Sequence, residues 1–315
     1  MTKVAIVGAG LIGRAWAVSF ARAGYEVALT DAVPGQVEAA FAFIDQALDE
    51  LAGFDLLNGA TPVAVRLRIR AMPDLAEALT GTTHVQENTP EDLDTKRKVF
   101  AELDRLAPAD AVIASSTSAL LPSAFTEGLA GQARCLVAHP INPPYLVPAV
   151  EIVPAPWTDP EIVERTRRLM AEAGQAPLVL RHEIDGFVVN RLQGALLQEA
   201  FRLVADGKAT VEDVDVAIRE GLALRWSFMG PFETIDLNAP GGVGDYVRRY
   251  GGLYDRLFET QTRRADWTGP VATTIEAERQ ARLDRKDLAE RAAWRDRRLM
   301  ALIAHKRAAK TDIGE

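Results

Sequence analysis

His139 closes an apolar run, "RCLVAHPINPP", in a chain that has only four histidines. An imidazole titrates near neutral pH, with an ordinary pKa of about 6.5. At the end of such a run it is either a packed side chain or a proton carrier aimed at something. Pro140, Pro143 and Pro144 stiffen the segment behind it, with Asn142 among them. Glu151 stands in a second apolar run, "PAVEIVP", where an unpaired carboxylate would be costly. A histidine partner would remove that cost and settle the imidazole tautomer. Ser118 lies just past a third run, "AVIASSTS", and Glu87 and Glu91 just past a fourth, in "VQENTPEDL". Asn190 interrupts "GFVVNRL", where helix propensity does not ask for it. Oxidation of a secondary alcohol needs a base for the hydroxyl proton and an acceptor for the hydride. A histidine is the natural base near neutral pH.

The hydride acceptor is implied at the other end of the chain. Gly8-Ala9-Gly10-Leu11-Ile12-Gly13 follows the strand-like "KVAIV" and opens the helix-like "LIGRAWAVSFARAG". In that context Gly8 permits a tight turn, Gly10 lets backbone approach a pyrophosphate, and Gly13 lets helix and strand pack closely. The amides around Leu11 and Ile12 form the helix N-terminus that would hold the phosphates. The next strand-like run ends in Asp31, where a carboxylate can accept hydrogen bonds from an adenosine ribose. No Lys or Arg follows in "DAVPGQVEAAF", so NAD is expected rather than NADP.

The elements that must position these residues alternate through the first half. "KVAIVG", "EVALTD", "THVQEN", "AVIASS" and "RCLVAHP" have strand length and are separated by amphipathic segments such as "EDLDTKRKVFAELDRLA". That rhythm predicts βαβ units on a buried parallel sheet, extended by "PAVEIVP", "DPEIVERTRRLMAEAG" and "APLVLR". Ligands bind beyond the carboxyl ends of such strands, where His139, Ser118, Glu87 and Glu91 are all expected. After about Asp185 the period becomes helical, and Thr210 with Asp213 marks a helix start. The expected fold is a doubly wound α/β domain of Rossmann type over residues 1–184. An all-helical domain, over 185–315, follows it.

Bulk properties exclude several functions. The 315 residues are 48% hydrophobic and 25% charged, as in soluble globular proteins. The net charge of −8, with basic residues scattered, argues against nucleic acid as a partner. No stretch approaches 18 uninterrupted apolar residues, so no membrane span is expected. The opening shows no targeting pattern, and the single cysteine, Cys135, reads as a buried inert thiol. A cytoplasmic location is the expectation. His84 reads as packed or at the surface, and His182 and His305 as solvated.

The chain resembles the L-3-hydroxyacyl-CoA dehydrogenase family, in particular its λ-crystallin branch, whose enzymatic members are L-gulonate 3-dehydrogenases. The resemblance runs nearly end to end through "VAIVGAGLIGRAWA", "HVQENTPEDLDTKRKVF", "SSTSALLPS", "VAHPINPPYLVPAVEIVP", "GFVVNRLQ", "EGLALRWSFMGPFETIDLN" and "WRDRRLM". It implies that His139 is the general base, Glu151 its orienting partner, and Ser118 and Asn190 the contacts to the substrate oxygen. Glu91 and Lys96 fall on cofactor-contacting positions and Asn142 on the nicotinamide side. The helical domain of this family commonly makes a homodimer.

For the substrate, the stretch after the second strand carries Glu38, Asp45, Asp49, Glu50 and Asp55 and no Lys or Arg. Coenzyme A phosphates would be repelled there, which ranks a free 3-hydroxy acid above a CoA thioester. Arg225, in "EGLALRWSFMGP", is the cation to assign to a substrate carboxylate, because a guanidinium grips it through two bonds. An interdomain salt bridge is the alternative role for Arg225. The same stretch resembles L-carnitine dehydrogenases, whose substrate would need an aromatic cage, with Trp226, Phe228 and Tyr145 as its candidates. A structural, crystallin-like role is the non-enzymatic alternative.

Overall fold

The computed structural model describes residues 2–314. They fall into two compact units: one runs to Val189 and takes in the chain again from Trp294, and the other is Asn190–Ala293.

The first unit is built on β1 (Lys3–Val7), β2 (Glu26–Thr30), β3 (Ile69–Ala71), β4 (His84–Glu87), β5 (Val112–Ser115), β6 (Cys135–Pro140), β7 (Ala149–Pro154) and β8 (Ala176–Val179). Their spatial order is β3-β2-β1-β4-β5-β6-β7-β8. Strand order reverses at β1 and β4, which opens the crevice where doubly wound folds take their ligands. From β1 to β4 to β5 the central strands are buried on both faces, as a sheet covered by helices on both sides requires. Helix α1 (Leu11–Arg22) buries Ala15, Trp16, Ala17, Val18 and Phe20, and Trp16 stacks on Phe20 at 5.3 Å. Helix α2 (Gln36–Gly53) buries the Ile44, Leu48 and Leu51 stripe.

One expectation needs correction. The sheet is not parallel throughout, because β7 runs antiparallel to β6. The link between them, Ile141–Pro148, is a short loop and not a helical crossover, and a parallel return requires a crossover. The antiparallel register sets His139 directly opposite Glu151. A short edge strand, β3, also forms where no strand was expected.

Helix Leu288–Ile313 explains why the late chain groups with the first unit. Met300 is fully buried in that unit's core, with Leu299, Ile303 and Ala304 packed against the same cluster. The sequence pattern had placed all of 185–315 in one helical domain. Periodicity reports that a segment is helical, not which core its apolar face joins.

The second unit is helical. It contains Val211–Val216, Pro231–Leu237, Gly242–Thr260 and Pro270–Gln280. Thr210 and Asp213 form the expected capping box. Phe201 stacks on Trp267 at 4.7 Å. Among its described residues only Arg202, Val211, Thr234, Ala239, Ala265 and Val271 are buried, while Phe228, Phe232 and Leu237 lie mostly open.

Candidate active site

The glycine turn has the shape its residue types require. Gly8 adopts φ +93°, and a Cβ there would lie 2.8 Å from the Asn88 carbonyl oxygen. A Cβ on Gly13 would lie 1.8 Å from the Gly8 carbonyl oxygen, so only glycine lets α1 pack on β1. At Gly10 a Cβ would meet nothing within 4 Å, which leaves space for a ligand at the head of α1. No side chain caps that helix, so the amides near Leu11 and Ile12 face no competing acceptor. Asp31 is anchored by two backbone donors, Ala9 N at 2.6 Å and Val33 N at 2.8 Å. The turn and its acid therefore form one unit, and the residues present fit a dinucleotide.

Across the sheet, His139 Nδ1 lies 2.8 Å from Glu151 Oε2. The other Glu151 oxygen accepts from Val188 N at 2.7 Å and Val189 N at 3.0 Å. Burial pushes the Glu151 carboxyl up, but the hydrogen bonds from His139, Val189 and Val188 outweigh it and hold the group below the usual glutamate range. An ionised Glu151 accepts from Nδ1–H and so leaves Nε2 as the basic nitrogen. This is the arrangement that proton transfer asks for.

The residues around the pair take more specific places than the sequence assigned. Glu91 reaches the Ser118 loop: one oxygen accepts from Ser118 N and Ala119 N at 3.1 Å each, and from the Thr117 hydroxyl. Lys96 is fully buried beneath the loop after β4. Its ammonium is 2.8 and 2.9 Å from the two Glu87 oxygens and 2.9 Å from Thr89 O, which uses all three of its donors. Glu87 also accepts from Ser115 Oγ at 2.7 Å and from the Thr89 amide and hydroxyl. Asn142 is exposed in its loop, with Pro143, Pro144 and Tyr145 buried behind it. Ser118 is exposed as well. Asn190 is the first residue of the second unit, next in sequence to Val189. Arg225 is exposed on the short helix Ala223–Trp226, after a π-helical turn at Ala217–Leu222.

One neighbour escaped the sequence reading. Phe187, fully buried at φ +49°, packs its ring 5.5 Å from the His139 ring. Its signal was the "DGFVVN" turn, read only as a helix start. Tyr145 donates to Asp296 at 3.2 Å and is buried, so it is not free for an aromatic cage. The acidic stretch on α2 is also less bare than its string: Arg66 pairs with Asp45 at 2.9 Å, and the Arg14 guanidinium lies over Phe43.

His84 is buried, and burial lowers its pKa to about 4. His182 and His305 are exposed. Cys135 is buried, and burial pushes its thiol up to about 12, which makes it inert. Among the described residues no cluster of potential metal ligands occurs, and no helix is long and apolar enough to cross a membrane.

Comparison with known proteins points to one family. Residues 3–184 match the family described as 3-hydroxyacyl-CoA dehydrogenase, NAD binding domain, and residues 186–280 match its C-terminal domain. A lambda-crystallin homolog of Bos taurus is 45% identical, covering 95% of this chain and 94% of that protein. An L-carnitine dehydrogenase of Streptomyces griseus is 37% identical over 96% of this chain and 89% of its own. Among solved structures, an NAD+-dependent 5-formyl-3-hydroxy-2-methylpyridine 4-carboxylic acid 5-dehydrogenase superposes with a TM-score of 0.82. It shares 26% identity and covers 97% of this chain and 99% of that one.

Proposed function

The chain belongs to the 3-hydroxyacyl-CoA dehydrogenase family and is an NAD-dependent oxidoreductase, and from that premise we propose that it oxidises a free, L-gulonate-like 3-hydroxy acid to the 3-keto acid. The observation that carries the free-acid reading is the acidic face presented by α2 and its flanks, where Glu38, Asp49, Glu50 and Asp55 form no ion pair among the described residues. Coenzyme A phosphates would be repelled there, whereas a small acid does not extend so far. The similarity to a lambda-crystallin homolog over nearly the whole chain supports the same choice. So does a structural neighbour whose named substrate is itself a free carboxylic acid.

In this reading His139 Nε2 takes the proton of the substrate hydroxyl, and Glu151 stabilises the imidazolium that forms. A bound nicotinamide supplies the acceptor for the hydride from the substrate carbon. The carbon loses two electrons, the ketone forms, and the proton leaves through His139. Ser118 and Asn190 hydrogen-bond the reacting oxygen, and Glu91 holds the Ser118 loop in place through the backbone amides it accepts from. Asn142 would border a bound nicotinamide. Lys96 acts from beneath, by fixing Glu87 and the loop that carries Glu91. Arg225 binds the substrate carboxylate.

The second unit, with six buried residues and several exposed large apolar ones, completes its core against a second copy, so the working form is a homodimer. The enzyme works in the cytoplasm, in keeping with one buried, inert thiol. Carnitine is the second reading, favoured by the L-carnitine dehydrogenase relative.

Reduction of NAD should be followed with L-gulonate, 3-hydroxybutyrate, its CoA thioester and L-carnitine side by side. The free sugar acid should give the highest kcat/KM. A preference for the thioester or carnitine would replace this substrate, and inactivity toward all four would favour a crystallin-like structural role. Arg225→Lys and Arg225→Met should raise KM for the acid, the second by about 1.5–3 kcal/mol of lost charge-assisted bonding, and leave its methyl ester unaffected. Sedimentation should give the mass of a dimer.

A further inference from the structure

Strand β4 reads His84-Val85-Gln86-Glu87, and all four residues are buried in the middle of the sheet. A central parallel strand is normally apolar, because a buried polar group is costly unless it is satisfied. Glu87 is accounted for by Lys96. Gln86 and His84, which face the opposite side of the sheet from Glu87, are not used by anything described so far.

Their hydrogen bonds form one continuous path. His84 Nε2 lies 3.0 Å from Gln86 Oε1. The Gln86 amide nitrogen donates to Ser116 Oγ at 2.7 Å and to the Ala138 carbonyl at 3.1 Å. Ser116 Oγ also accepts from Trp16 Nε1 at 3.0 Å and donates to Asn88 Oδ1 at 2.8 Å. Asn88 Nδ2 returns to the Gln86 carbonyl at 2.8 Å. The path therefore touches both halves of the chemistry. Ala138 immediately precedes His139, and the Asn88 backbone lies against the Gly8 turn.

Gln86 is fully satisfied only in one orientation of its amide. With Oε1 turned toward Ala138 O, two acceptors would face each other. The Ala138 carbonyl therefore sets the orientation, with Oε1 toward His84; burial keeps that ring neutral, and in its Nε2–H tautomer it donates to Oε1.

We infer that Gln86 is a positioning residue: held by His84, it ties the backbone next to His139 to the Ser116–Asn88 support of the dinucleotide turn, and so sets the distance between base and cofactor site. The inference rests on His139 being the base. Reaction geometry is sensitive at this level, since about 1 Å of misplacement costs on the order of 10²-fold in rate.

The test is Gln86→Leu in the full-length protein, which removes both donors at similar volume. We expect kcat to fall about tenfold or more, within the range one misplaced group can cost. The KM for NAD should stay within about twofold, because every phosphate-binding amide of the turn remains. The isotope effect on kcat with substrate deuterated at the reacting carbon should rise, because hydride transfer becomes the slower step. His84→Leu, which takes away the partner of Gln86 Oε1 and loosens its hold, should move the same quantities in the same direction and serves if Gln86→Leu does not fold. Met170→Ala, a fully buried change off this path, should lower Tm without moving the isotope effect. His139→Gln belongs in the same series, and full turnover by that variant would remove the base assignment itself. If His139→Gln is inactive while the Gln86 and His84 variants keep the parent kcat and isotope effect, the path is only structural and the inference is overturned.

Discussion

Replacing Glu151 by glutamine changes one terminal group and asks whether the His139 tautomer controls the reaction. The wild-type carboxylate serves three donors: His139 Nδ1 at 2.8 Å, Val188 N at 2.7 Å and Val189 N at 3.0 Å. A glutamine has one carbonyl oxygen and one NH2 group for those two sides. Turning the NH2 toward the part-buried amides would set donor against donor and leave both N–H groups without this acceptor, at up to about 1–3 kcal/mol each. Turning it toward the imidazole costs less, because the ring can move its proton from Nδ1 to Nε2. The nitrogen that should receive the substrate proton is then already protonated. Loss of a general base costs about 10²–10⁴-fold, or about 3–5 kcal/mol in barrier. Glu151→Gln should therefore lose that much kcat, read from NADH formation, while NAD affinity by fluorescence titration stays close to wild type. Stability gives an independent check with a definite sign. The folded-state pKa of Glu151 is depressed, so its contribution is present above the unfolded value of about 4.3 and is lost as pH falls through the folded value. The Tm gap between wild type and variant should narrow in acid. A variant keeping more than a third of wild-type kcat would refute the tautomer argument.

Two further outcomes follow from the packing around the site. Gly13→Ala should abolish NAD binding and lower Tm by several degrees, since its Cβ would lie 1.8 Å from a backbone oxygen. Gly10→Ala should keep the wild-type Tm and weaken NAD alone, and equal thermal scans for the two would contradict this. Lys96→Met strands the buried Glu87 carboxylate and should cost about 3–5 kcal/mol of stability in denaturant titration. Lys96→Met, Glu87→Leu together should recover most of it, and an additive double variant would mean that the pair is not coupled.

Much of this protein is written locally. The glycine turn could be read because a strand, three glycines and a helix within a few residues specify a backbone shape, and the fold takes that shape at Gly8 and Gly13. His139 and Glu151 stood out because each was a polar group in an apolar run, and burial of polar groups demands a partner. The alternation of runs likewise supplied the doubly wound sheet and the helical segment after it. What the sequence could not state is who meets whom. Periodicity tells which face of a strand is buried but not the direction of its neighbour, so the antiparallel β7 that brings Glu151 opposite His139 emerged only from the sheet. The resemblance sets Lys96 on a cofactor-contacting position, and only the fold shows its ammonium on both Glu87 oxygens. Gln86 and Ala138 are 52 positions apart, and Tyr145 and Asp296 are 151 apart. The return of Met300 to the first unit's core is of the same kind. Such pairings carry no local signal, because they arise only when packed elements close distances that chain order leaves open, and tertiary structure alone decided them.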